Sequence, residues 1–231
     1  MRCQGFSMRL AVLAPLAVSA ALAACASTPP PPAPPPPAYP GPPRPPAAGP
    51  GAVLMDWRGV ISAVDRDRYQ RRDAAWSLAL QQARRQPGSG DLDSLGDLID
   101  PRAARRDVTP PAGNYRCRTV KLGSQGGEDG LGYVIYGWFA CRIEQTPRGL
   151  KFVKATGSQR PSGLLFPETD RQMVMLGSMA LASEPAANSY GQRPDRDTVA
   201  VLERIGERRW RLVLPWPQNE SNLDLIELVP G

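Results

Sequence analysis

Thr198-Val199-Ala200-Val201-Leu202-Glu203-Arg204-Ile205-Gly206-Glu207-Arg208-Arg209-Trp210-Arg211-Leu212-Val213-Leu214 reads as two short β-strands around a tight turn. β-Branched and aromatic residues suit a pleated, half-buried surface, and Gly206-Glu207-Arg208 supplies the turn chemistry between them. Neither run is long enough for an ordinary helix. The same signature recurs on both sides, in runs bounded by Gly, Pro, Asn or Asp. Upstream lie Asn114 to Leu122, Tyr133 to Glu144, Leu150 to Thr156, Gly163 to Phe166 and Met173 to Ser178, and downstream lies Leu223 to Val229. A second tight turn is expected at Thr146-Pro147-Arg148-Gly149, so sequence neighbours should pair as an antiparallel meander of about eight strands. Eight such strands close into a small barrel or pack as two sheets. Glu184 to Asp197 is a longer excursion within the meander.

The pattern changes ahead of Pro110-Pro111. From Asp56 to Gln86 there are few helix breakers. Trp57, Ile61 and Val64, then Tyr69, Trp76, Leu80 and Ala83, recur at helical steps, with Asp65, Asp67, Arg68, Arg71, Arg72 and Asp73 making a charged face. Pro87-Gly88-Ser89-Gly90 stops that helix, and Asp91 to Ile99 predicts a second, shorter one, giving a helical hairpin closed by Asp100-Pro101. The expected fold is therefore mainly β with N-terminal helices. It is a small closed or partly closed barrel of lipocalin-like or calycin-like type, with a two-sheet sandwich as the alternative.

The N-terminal quarter carries an address and a spacer. Arg2 and Arg9 precede an apolar run, Leu10 to Leu22, that fits a signal-peptide core and is short for a membrane span of about 20 residues. It ends in Leu22-Ala23-Ala24-Cys25, which resembles the lipobox of bacterial lipoproteins and makes Cys25 the expected lipidated residue; Met8 opens an equally good signal of its own. By the same resemblance, Ala26 in place of Asp favours the outer membrane of a Gram-negative host, facing the periplasm. Of the 27 prolines, 14 fall among the 22 residues from Pro29 to Pro50. Such a tract predicts polyproline II, a semi-rigid spacer reaching roughly 70 Å at about 3.1 Å per residue. The expected organisation is a signal over 1–24, the anchor and spacer over 25–51, a helical region over 52–110 and a β-domain over 111–231, the last two packed as one unit.

Composition narrows the chemistry. The chain has no histidine, which removes Ser-His-Asp and Cys-His nucleophile pairs and His-ligated metals. With Arg2 and Arg9 lost, 26 basic residues face 22 acidic ones, a net +4. No basic run exceeds two residues, so nucleic acid is not an expected partner. The expected partners are the membrane, through the lipid, and an envelope protein or small ligand.

Cys117 and Cys141 fall within the first two strands, and an exported domain meets an oxidising compartment, so a disulfide is expected between them. Use of the pair in catalysis or metal binding is the sharper alternative, and neither cofactor nor metal is expected. Thr156, Ser158, Gln159 and Arg160, in the turn before the fourth strand, form a candidate anion-binding loop. Their residue types equally suit a structured turn. Arg116 or Arg118 is placed to pair with Asp224 or Glu227 where first and last strands meet. Trp138, Trp210, Trp216, Tyr133 and Tyr136 are expected to pack the interior rather than line a pocket.

Four blocks together resemble a bacterial family, the domain of unknown function 4893: Arg116 to Gly123, Trp138 to Ile143, Thr156 to Arg160, and Leu202 to Gly206 running into Trp210 to Pro217. The resemblance covers roughly Asp56 to Pro230, fits exported proteins of proteobacteria and carries over no catalytic residue. Gly113-x-Tyr115 is a fainter likeness to the Gly-x-Trp opening of lipocalins. The expected function is a non-catalytic binding or interaction module of the cell envelope. A lipocalin-like carrier of a small apolar ligand is the alternative, and a histidine-independent envelope hydrolase the minor one. A carrier needs a hollow barrel, whereas an interaction module needs a filled barrel and an exposed patch.

Overall fold

The computed structural model describes residues 56–86, 90–127 and 130–231. The signal over 1–24, Cys25 and the proline-rich tract to residue 51 lie outside the described residues.

Eight antiparallel strands form a closed barrel in sequence order: β1 (Gly113–Leu122), β2 (Tyr133–Thr146), β3 (Gly149–Lys154), β4 (Gln159–Pro167), β5 (Gln172–Leu181), β6 (Asp197–Gly206), β7 (Arg209–Pro215) and β8 (Leu223–Pro230). β1 and β8 close it, with Arg118 opposite Glu227 and Lys121 opposite Asp224. Closure removes the sheet edges that an open meander would expose, which decides against the two-sheet alternative.

The interior is filled through its middle and at one end. Cys117, Phe152, Met175, Ala200, Leu202 and Leu212 occupy its middle, each fully buried. At one end Tyr115 meets Trp210 edge to face, and Trp210 Nε1 donates to the Val108 carbonyl at 2.8 Å. The segment before β1 thus lays Val108 into that end and closes it. Cys117 and Cys141 are joined by a disulfide inside the barrel, their Cα atoms 5.8 Å apart, within the span a bridge requires. Gly163 and Gly177 face each other where β4 and β5 approach most closely; a Cβ on Gly163 would stand 2.6 Å from the Gly177 Cα.

Strands β5 to β8 are buried on both faces, so they read as nearly continuous apolar runs rather than as alternating ones. Their outer faces are covered by the helical region. Ala75, Trp76, Ala79, Leu80 and Ala83 pack on Val120, Leu122, Val213, Leu223 and Leu225, while Trp57 and Ile61 pack on Phe166, Val174, Leu176 and Val199. The expected single helix over Asp56 to Gln86 is three: α1 (Trp57–Val60), α2 (Ala63–Gln70) and α3 (Arg72–Arg85). Ile61 turns extended, and the Ser62 side chain caps α2 by accepting from the Asp65 N–H. The break lets Trp57 and Ile61 reach one wall of the barrel while α3 covers another. The second expected helix is also divided, into α4 (Gly90–Asp93) and a 3-10 turn over Gly96–Leu98 that opens on Gly96 at φ +52°.

Arg211 fastens this layer to the barrel. Fully buried, it projects from the outer face of β7, donates from Nε to Glu203 at 2.8 Å, and donates from Nη1 to the carbonyls of Asp97, Leu98 and Asp100. Its Nη2 lies 2.7 Å from the same carboxylate as an ion pair, without hydrogen-bond alignment. The excursion after β5 is held similarly: Tyr190 Oη donates to Asp65 Oδ2 at 2.7 Å and accepts from the Ser62 N–H.

Candidate binding face: the barrel mouth and the open edge of β2

At the end opposite Val108 the interior turns polar. Lys121 and Asp224 pair there, 3.3 Å apart, and Lys121 Nζ also lies 3.0 Å from Glu220 Oε2. The Ser221 hydroxyl donates to the other Asp224 oxygen. Burial pushes the Asp224 carboxyl upward against the pull of Lys121 and Ser221. For Lys121, burial works downward, but Asp224 and Glu220 outweigh it and hold the ammonium above its usual range. A lysine held protonated is the wrong instrument for activating a neighbouring hydroxyl.

Lys154 sits close by under different conditions. Its Nζ donates to the carbonyls of Thr156 and Gln159 at 3.0 and 2.9 Å and lies 3.8 Å from the centre of the Phe139 ring. Among the described residues no carboxylate pairs with it. Burial first, then the charges of Arg160 and Lys121, lower its pKa to about 8.

The four residues of the candidate anion-binding loop are directed mainly at backbone. Thr156 Oγ1 accepts from the Ala140 N–H, and the Ser158 carbonyl accepts from Ala182. The Arg160 guanidinium donates to the carbonyls of Gly157, Ala182 and Glu184. Gln159 opens β4 and turns its amide toward Glu220 at the mouth, 3.5 Å away. The closure pair takes the form Arg118–Glu227, with Arg209 on the second oxygen of the same carboxylate.

Two of the aromatics expected to pack the interior are exposed instead. Tyr136 and Trp138 are 40% and 43% exposed, whereas Trp210 is buried and Trp216 lies half-buried under Arg71. The cause is a mismatch of strand lengths. β2 runs for 14 residues and β3 for six, so β3 pairs with β2 only over Cys141 to Thr146. The chain beyond β3 makes one more attachment, at Ala140, before turning away at Gly157. Among the described residues no strand pairs with the far edge of Val134 to Trp138, whose near edge is bound to β1.

The inner face is open, and so is the outer face at Trp138, while Ile135 packs outward on the helical core. On the inner side Val134 and Tyr136, with Leu131, Lys121, Ser221 and Glu220, line a crevice of about 340 Å³. On the outer side the guanidinium groups of Arg116 and Arg118 lie 4.9 and 5.1 Å from the Trp138 ring centre. The sequence offered one signal for this site, the excess length of the second strand over the third; it did not show the crevice, because that needs the β7–β8 loop beside β2. Among the described residues no group of three or more Cys, Asp or Glu side chains could hold a metal ion.

The model of a family described as Domain of unknown function (DUF4893) matches residues 57–228, which spans the helical layer and all but the last residues of the barrel. Neither a curated protein nor a solved structure matches the chain.

Proposed function

The chain belongs to that family, and from this premise we propose that it is a non-catalytic binding module of the cell envelope, held to the outer membrane by lipid on Cys25 and facing the periplasm. The observation that carries the reading is the pairing of a filled barrel with an exposed aromatic overhang. Phe152, Met175, Leu202 and Leu212 occupy the space a carrier would leave for its cargo, while Tyr136 and Trp138 stand in solvent beside an open crevice. The proline-rich spacer fits a module that works at a distance from its anchor. Thr156, Ser158, Gln159 and Arg160 then shape the rim of the mouth rather than a separate site.

Native mass spectrometry of the protein extracted from the envelope tests this. The expected species is the polypeptide with its covalent lipid and no stoichiometric small molecule. A reproducible non-covalent lipid or metabolite, released on denaturation, would replace the module with a carrier. The anchor is tested apart from the domain: Cys25→Ser should move the protein from the membrane to the soluble periplasmic fraction, and retention would refute the tether.

A further inference from the structure

We propose that the open edge of β2, from Val134 to Trp138, receives an extended acidic segment of a partner protein as an added strand. The inference rests on the binding-module reading and specifies its ligand. In an antiparallel ladder the N–H and C=O of successive residues point alternately to the two sides. Ala140 turns both groups toward the β3 side, where Ala155 and Thr156 take them. Trp138, two residues earlier and opposite Arg118, turns its groups the same way, into the open. The edge bends once, at the register shift where Tyr136 and Gly137 together stand opposite Thr119, so that Val134 and Tyr136 fall on the inner face and Trp138 on the outer.

Chains usually protect such edges with charge, proline, a bulge or a cover. This one has the bulge at Tyr136-Gly137 but neither charge nor proline over Val134, Ile135, Tyr136, Gly137 and Trp138. A strand added here would place alternate side chains on opposite faces. Those on one side would enter the crevice beside Val134 and Tyr136, and those on the other would lie along Trp138 and Arg116.

The charges around the overhang select the ligand. Glu227 is shared by Arg118 and Arg209, and Lys121 faces two carboxylates, Asp224 and Glu220. Arg116 is exposed and stacked on Trp138, and among the described residues no carboxylate pairs with it. On the outer side the surplus is positive, Arg116, Arg118 and Arg209 against Glu227, and an incoming acidic residue beside Trp138 would meet Arg116. A second copy of this chain, pairing edge to edge, would instead bring two such arginine clusters together.

The test uses the full-length lipidated protein in detergent and two end-blocked synthetic peptides, one alternating Glu and Val, the other alternating Lys and Val. Peptide affinity is read by anisotropy and strand addition by amide hydrogen exchange across β2. The Glu-Val peptide should bind, slow exchange at Trp138, and bind about tenfold more weakly to Arg116→Glu, which should in turn favour the Lys-Val peptide. Arg116 is solvent-exposed, so that variant keeps its fold. Equal binding of both peptides, or no protection of β2 at about 1 mM Glu-Val peptide, would overturn the proposal. So would protection of β2 by the protein's own dimerisation in the absence of peptide. If any of these holds while a partner still crosslinks at Trp138, the strand-addition inference fails and the binding module stands; if nothing docks at this face, the module reading fails with it.

Discussion

Replacing Arg211 by methionine tests how the helical layer is joined to the barrel. The substitution keeps most of the side-chain volume and removes the guanidinium. Glu203 would be left 5% exposed with Gln172 Nε2 as its remaining hydrogen-bond partner, and the carbonyls of Asp97, Leu98 and Asp100 would lose their donor. Breaking a buried ion pair from one side costs about 3–5 kcal/mol. For a domain whose total stability is of order 5–15 kcal/mol, that is a large fraction, and the midpoint of urea unfolding should fall steeply. Replacing Glu203 by methionine as well removes the stranded carboxylate but not the exposed carbonyls. The double variant should therefore be more stable than the sum of the single losses predicts, by about 2 kcal/mol, and still less stable than the parent. The assay is equilibrium urea unfolding by circular dichroism of the parent, both single variants and the double variant. Limited proteolysis should also find the Gly90 to Leu98 region newly cleavable in Arg211→Met. A loss below about 1 kcal/mol for Arg211→Met, or strictly additive losses, would refute the claim that this ion pair fastens the layer.

Other outcomes follow from the same contacts. Cys117→Ala/Cys141→Ala opens a cross-link spanning 24 residues, for which chain entropy predicts a loss of about 3.4 kcal/mol; unchanged unfolding in reductant would contradict it. Gly163→Ala pushes a methyl into the backbone of β5 and should cost roughly 1–3 kcal/mol, read as a lower melting temperature. Lys154 has a folded pKa of about 8, below its unfolded value, so the unfolded chain binds more protons between the two. Stability should accordingly rise as pH climbs from about 8 towards 10. Lys154→Met should lack that rise, and identical pH profiles for parent and variant would show that the ammonium is not desolvated as described.

The strands were legible because their edges are punctuated. Gly149 and Gly206 end hairpins, and β-branched residues crowd Thr198 to Ile205, so all eight runs are where composition places them. β4 and β5 extend beyond the expected runs because Gln159 and Arg160, which carry no apolar pattern, are held by pairing to Leu181 and Ala180. The helices were read too long because periodicity does not register Ile61 or Arg71, single residues whose backbone is set by what Trp57, Ile61 and α3 must reach. Strand number allowed closure or two packed sheets, and Arg118–Glu227 is one of the pairings expected between Arg116 or Arg118 and Asp224 or Glu227 where the first and last strands meet. The binding face was misread at Tyr136 and Trp138. Aromatic content argues for burial, but exposure here depends on the ends of three elements, β3, the turn at Gly157 and the β7–β8 loop. Lys121, Lys154 and Ser221 gave no signal, because no short motif links residues that meet only across a barrel mouth.

A photo-crosslinking amino acid placed at Trp138 of the full-length protein in intact cells tests whether a partner docks on the overhang of β2. The same probe at Leu78, an exposed residue of α3, serves as the comparison. The account predicts a discrete protein adduct from position 138 that is absent from position 78 and is lost with Arg116→Glu. No adduct from position 138, or the same adducts from both positions, would contradict it.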